Sequence, residues 1–143
     1  MLNRFALLLI MPLVPAPASA ETLPGPIPAG IVRVVDGDTI RVRAHIWIDQ
    51  TIEVMVRLQG IDTPEIHRPG CRAERALAEE AKTEVATITS DTIFLHDVHF
   101  GKYAGRVVAD AHLPNGVNVA EHLLEKGLAR RESDAETWCR PAH

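Results

Sequence analysis

The sequence predicts a mainly β (α+β) fold, a five-stranded OB-fold barrel with two to three helices. Three observations carry this prediction. Apolar residues alternate with period two between Ile31 and Leu58, they recur every three to four residues between Ala73 and Ile88, and two further apolar stretches precede a second helical segment. Period two marks half-buried strands and a period near 3.6 marks an amphipathic helix. Three strands, a helix, two strands and a helix is the order of an OB-like barrel.

Residues 1–20 are expected to stand apart from that domain. A basic start (MLNRF), an apolar run (ALLLIMPLV) and small residues at Ala18 and Ala20 form a signal-peptide pattern, with cleavage expected between Ala20 and Glu21. Pro12 and Pro15 interrupt the apolar run, which is too short to span a bilayer as a helix. An uncleaved N-terminal anchor is the rival reading. The Pro/Gly-rich ETLPGPIPAG of residues 21–30 reads as an extended leader with little core of its own. Residues 31–132 then form the barrel domain, and 133–143 a short tail.

Within the domain, VVDGDTI (residues 34–40) signals a hairpin. Asp-Gly between β-branched residues suits a type I′ turn, in which both central residues have positive φ. The same stretch sets Asp36 and Asp38 at a chain reversal, where a hard cation finds oxygen ligands. In the second strand Ile40, Val42, Ala44, Ile46 and Ile48 oppose Arg41, Arg43, His45 and Asp49. In the third, Ile52, Val54, Val56 and Leu58 oppose Glu53, Met55, Arg57 and Gln59, so Arg57 points away from the core row. Such a meander leaves one sheet face for solvent or substrate. After IDTPEIHRPG, Ala73, Leu77, Ala81, Val85 and Ile88 form the apolar face of a helix. TIFLHDV (92–98) and RVVADAHL (106–113) read as the last two strands, PNG as a turn, and Asn118 as the N-cap of a second helix with Glu121 at N3, ended by Gly127.

Loss of residues 1–20 removes Arg4 and no acid, leaving 14 Lys+Arg against 19 Asp+Glu, a net charge of −5. Overall charge therefore does not draw this chain to nucleic acid, and phosphate recognition must come from a few placed arginines or a bound cation. Cys71 and Cys139 are the two cysteines; after export a Cys71–Cys139 disulfide is expected. His96 and His99 lack a third nearby ligand in sequence, so zinc is not expected.

Four pieces in order, VDGDT, RLQGIDTPE, KYAGR followed by VVAD, and GLAR, resemble the staphylococcal nuclease (thermonuclease) family over roughly residues 31–130. The resemblance implies an OB-fold, Ca²⁺-dependent phosphodiesterase acting on DNA and RNA. By it, Asp38 and Asp62 supply carboxylates and Thr63 its carbonyl to Ca²⁺. Glu65 acts on the attacking water, as general base or by positioning it. Arg57 and Arg106 grip the scissile phosphate, and Lys102 and Tyr103 contact the nucleotide. Two carboxylates and one carbonyl, otherwise water, imply weak Ca²⁺ binding, on the order of 10⁻⁴–10⁻³ M, which suits an exported protein of the periplasm or medium.

The sequence departs from the staphylococcal pattern in KYAGR, which has one extra residue between Tyr103 and Gly105. It departs again in RESDAETWC, which lacks the tyrosines flanking the nucleotide pocket and offers Trp138 as the aromatic in their place. The short tail is expected to be tied down by the disulfide. The expected protein is a monomeric, exported endonuclease with no membrane association after signal cleavage. The alternative is a non-catalytic OB-fold module binding nucleic acid or protein; the presence of Asp38, Arg57, Asp62, Glu65 and Arg106 together favours the enzyme.

Overall fold

The alternating segments fold into a closed barrel, seen in a computed structural model that describes residues 21–89, 91–134 and 136–139. The expected signal peptide and residues 140–143 lie outside the described residues. In chain order the elements are β1 (Thr22–Leu23), β2 (Ile27–Asp36), β3 (Thr39–Trp47), β4 (Gln50–Leu58), β5 (Ile61–Asp62), α1 (Arg72–Ile88), β6 (Thr92–Phe100), β7 (Arg106–His112), α2 (Val119–Glu125) and β8 (Arg130–Arg131). The antiparallel meander β2–β3–β4 continues into β7 through a parallel pairing. β7 pairs with β6 and β6 with β2, both antiparallel, so the five long strands close on themselves. This is the OB-type α+β barrel that the sequence predicts. No described helix is long and apolar enough to cross a membrane.

The core is built from the inward rows of the strands, among them Ile40, Val42, Val56, Leu58, Ile93 and Leu95, closed by Ala81 and Val85 of α1 and by Val119 and Leu123 of α2. Asn118 caps α2 as expected, its side-chain oxygen accepting the N–H groups of Ala120 and Glu121. Gly127 follows that helix with φ of 71°, the left-handed conformation that a glycine terminator supplies.

Several expectations are corrected. The 21–30 segment is not merely a leader: Leu23 pairs with Val98, β2 begins at Ile27, and Ala29 is buried in the core. Extended Pro/Gly-rich sequence is compatible with strand pairing, and Ala29 and Gly30 pair with β3 on one side and β6 on the other. The β2–β3 turn is not type I′, because among the described residues neither Gly37 nor Asp38 has positive φ. Gly37 is required by proximity instead: a Cβ there would lie 2.8 Å from the Ala81 side chain and 3.0 Å from that of Thr63. The β2 register slips between Val34 and Asp36, a bulge that re-aims the following residues into the site.

At the other end of the meander, alternation outlives burial. Ile46 is 47%, Ile48 78% and Ile52 47% exposed, because the β3–β4 hairpin extends past the barrel where none of the described elements covers it. On α1, Ala73 is exposed, and the first-turn residue turned inward is Glu74.

Candidate active site

Three chain segments converge at one end of the barrel. The β2–β3 turn brings Asp36 and Asp38. The exit from β4 through β5 brings Arg57, Asp62, Thr63, Pro64 and Glu65, and the start of β7 brings Arg106. Together they line a polar cavity of about 140 Å³. The β4–β7 register explains the arginine pair: Met55 is opposite Arg106 and Arg57 opposite Val108, so the two arginines stand two positions apart on the same face of adjacent parallel strands. All six residues assigned from the resemblance to catalysis and cation binding therefore meet at one place.

Asp38 is the anchor of the arrangement. It is 5% exposed, and its Oδ1 accepts the Thr39 hydroxyl at 2.8 Å. Its Oδ2 accepts the Thr63 N–H at 3.3 Å and faces Arg57 Nη1 at 2.7 Å. Burying a carboxylate is costly unless hydrogen bonds and an opposite charge meet it, as these partners do here. On Arg57, burial disfavours the charge, but Asp38 and Glu132 outweigh it and hold the guanidinium more firmly protonated than usual. Arg57 Nη2 also donates to the Ile61 carbonyl at 3.1 Å. Arg106 makes no ion pair among the described residues; its guanidinium lies over the Tyr103 ring at 5.0 Å. The two arginines are thus held differently, Arg57 by carboxylates and Arg106 by an aromatic face.

Two further acids contribute, Asp36 of the DGD turn and Glu74, which the sequence reading passed over. Asp36 accepts the Asp38 N–H at 3.3 Å within the turn, and burial together with the Asp38 charge pushes its pKa up to about 6. Glu74, 8% exposed, accepts the Glu65 N–H at 3.2 Å and the Gly70 N–H at 2.6 Å, so it pins both ends of the loop that carries Glu65. Asp36 was legible as part of the DGD turn. Glu74 carries only a first-turn acid signal, which normally reads as a favourable helix-dipole interaction at the surface.

Cys71 and Cys139 are joined in a disulfide, with Cα atoms 5.9 Å apart, and Cys139 Sγ lies 3.7 Å from Glu74 Oε2. Cys71, Glu74 and Cys139 bring three potential ligand atoms together, but both sulfurs are consumed in the disulfide and neither is a thiolate able to bind metal. The cavity itself offers only hard oxygen donors, from Asp36, Asp38, Asp62 and Glu65. That donor set fits a hard divalent cation and not a thiolate- or imidazole-seeking one.

Beside the cavity a larger cleft of about 600 Å³ runs over Arg57 and Arg106 and is walled by Phe100, Lys102, Tyr103 and Glu132. Lys102 and Tyr103 line this cleft rather than the small cavity. Trp138 lines neither cavity: the Arg130 guanidinium lies over its ring at 3.9 Å, and Arg130 also donates to the Glu136 and Thr137 carbonyls, fastening the tail.

A family model described as "Staphylococcal nuclease homologue" matches residues 55–140. The chain is 32% identical over 99 residues to proteins named "Uncharacterized endonuclease" from Escherichia coli and from Escherichia coli O157:H7, an alignment spanning 69% of this chain and 57% of each relative. It is 27% identical over 125 residues to an uncharacterized protein of Methanocaldococcus jannaschii, across 70% of this chain and 56% of that one. The chain therefore spans little more than half the length of the curated relatives it matches.

Proposed function

Because the chain belongs to the staphylococcal nuclease family, we propose that it is an exported, Ca²⁺-dependent endonuclease that hydrolyses phosphodiester bonds in DNA and RNA with little sequence preference. The observation that carries this reading is the convergence of Asp38, Arg57, Asp62, Thr63, Glu65 and Arg106 on one polar cavity beside an open cleft.

Phosphodiester hydrolysis needs a water aligned opposite the leaving oxygen, a group to take its proton, and positive charge for the non-bridging oxygens. Glu65 is exposed at the cavity wall with its backbone fixed by Glu74, and it accepts or orients the proton of the attacking water. Arg57 and Arg106, presented side by side by the β4–β7 register, donate to the phosphate oxygens as charge gathers on them, and losing such a donor costs about 3–4 kcal/mol. Asp38, Asp62 and the Thr63 carbonyl would hold the cation, which when bound would neutralise phosphate charge. The phosphorus–oxygen bond to the leaving group then breaks, and that oxygen takes up a proton.

The deciding experiment is digestion of single-stranded DNA and RNA by the purified protein lacking residues 1–20, with Ca²⁺ and then with excess chelator. Cleavage in Ca²⁺ that chelator abolishes is the expected result. Binding without cleavage would identify the non-catalytic OB-fold module instead.

A further inference from the structure

Nη2 of Arg57 faces more acceptors than its N–H bonds can serve. Nη1 donates to Asp38 Oδ2 at 2.7 Å. Nη2 has two N–H bonds and three oxygens around it: the Ile61 carbonyl at 3.1 Å, Glu132 Oε1 at 3.3 Å and Asp62 Oδ1 at 3.4 Å. Of the three carboxylates, Asp38 and Asp62 line the small polar cavity. Glu132 does not; it lies in the wall of the large cleft, with Arg57 and Arg106.

The position of Glu132 is set by main chain. β8 pairs with β5 through Ile61↔Arg131 and Asp62↔Arg130, and the Glu132 N–H donates to the Gly60 carbonyl at 3.0 Å. The described residues from Arg130 to Glu136 include no aromatic ring, so this wall meets a bound nucleotide with charge rather than with stacking.

We propose that Glu132 is an intramolecular competitor of nucleic-acid phosphate for the Arg57 guanidinium, and so sets the affinity of the cleft for its polyanionic substrate. The proposal rests on the reading of Arg57 as a phosphate ligand. A cation held by Asp38 and Asp62 would compete with Arg57 for those two carboxylates, and Glu132, outside that donor set, would remain on the guanidinium. It holds the guanidinium at the cleft wall between substrates, and each incoming phosphate must displace it. A carboxylate facing a polyanion also repels it directly, which weakens encounter and binding.

The test compares Glu132→Gln with Asp134→Asn. Both variants change net charge by the same amount, but Asp134 Oδ1 accepts the Ser133 hydroxyl, and among the described residues Asp134 makes no hydrogen bond or ion pair with Arg57. Binding of a fluorescent single-stranded oligodeoxynucleotide is measured by anisotropy in excess chelator, and KM and kcat are measured in Ca²⁺. Glu132→Gln is expected to tighten binding and lower KM by about threefold or more, with kcat within about twofold of the parent. Asp134→Asn is expected to shift either value by less than about 1.5-fold. Equal effects of the two variants, or unchanged or weaker binding by Glu132→Gln, would overturn the proposal. Arg57→Ala separates the two levels. If it binds and cleaves like the parent, the reading of Arg57 fails and the proposal with it; if it loses binding while Glu132→Gln gains none, the proposal alone fails.

Discussion

The two arginines of the site share a proposed role but not an environment, and substitutions should separate them. Arg57→Ala, Arg106→Ala and Glu65→Gln are each expected to cut turnover on single-stranded DNA by at least about a hundredfold. Solvent-face positions on a strand suggest small stability losses for both arginines, and for Arg57 the structure overturns that expectation. Its side chain is 20% exposed against an Asp38 side chain at 7%, and its loss strands a buried carboxylate. Urea unfolding should show Arg57→Ala destabilised by about 1.5–3 kcal/mol and Arg106→Ala by less than about 0.5 kcal/mol. Asp36 adds a pH signature. Its folded pKa of about 6 lies above the ordinary 3.8, so the folded state binds the extra proton between those values. The Asp36 contribution to stability therefore falls as pH rises from about 4 to 6. Unfolding in chelator across that range should show Asp36→Asn gaining stability relative to the parent as pH rises; a constant difference would refute the shift.

At the scale of elements, the Glu65 loop is held from α1 and from the tail at once. Glu74 on the first turn of α1 accepts N–H groups from Glu65 and Gly70, and the disulfide packs Cys139 against the same carboxylate. The bridge closes a long stretch of chain, its cysteines lying 68 positions apart. Reduction is expected to lower stability by about 2–4 kcal/mol and to lower turnover, because Glu74 loses a fixed neighbour. Thermal melts and cleavage rates with and without reductant measure both effects. Alkylation of both cysteines without a reduction step, detected by mass spectrometry, would remove the bridge from the account. Glu74→Gln keeps one acceptor oxygen but cannot accept both N–H groups, and should lower kcat about tenfold with KM little changed.

For the molecule as a whole, a net acidic chain is proposed to act on a polyanion, and local charge must do what overall charge does not. The arginines and the cation-binding acids gather at one end of the barrel, while the apolar β3–β4 hairpin tip lies at the far end of the meander. Cation binding to the folded site alone should stabilise the fold. Ca²⁺ at millimolar concentration is expected to raise the melting temperature by a few degrees and to be required for turnover, with half-effect at about 0.1–1 mM. Full activity in excess chelator would end the metal-dependent reading.

Local patterns in the sequence determined the chain order of the five long strands, both helices, the α2 cap and the face of β4 that carries Arg57, because periodicity and capping are local physics. The ordered motifs also picked out the residues that the fold brings to one cavity. Tertiary structure decided what depends on neighbours distant in sequence. Gly37 is a glycine because Ala81 and Thr63 press on it, and not because its turn needs positive φ. Ile46, Ile48 and Ile52 share the alternation of buried residues yet stand exposed, because alternation orients a side chain without supplying anything to cover it. Glu74 and Glu132 gain their roles from a loop and an arginine that only folding brings to them: a hydrogen bond across 75 residues of chain leaves no mark on the residues beside either partner.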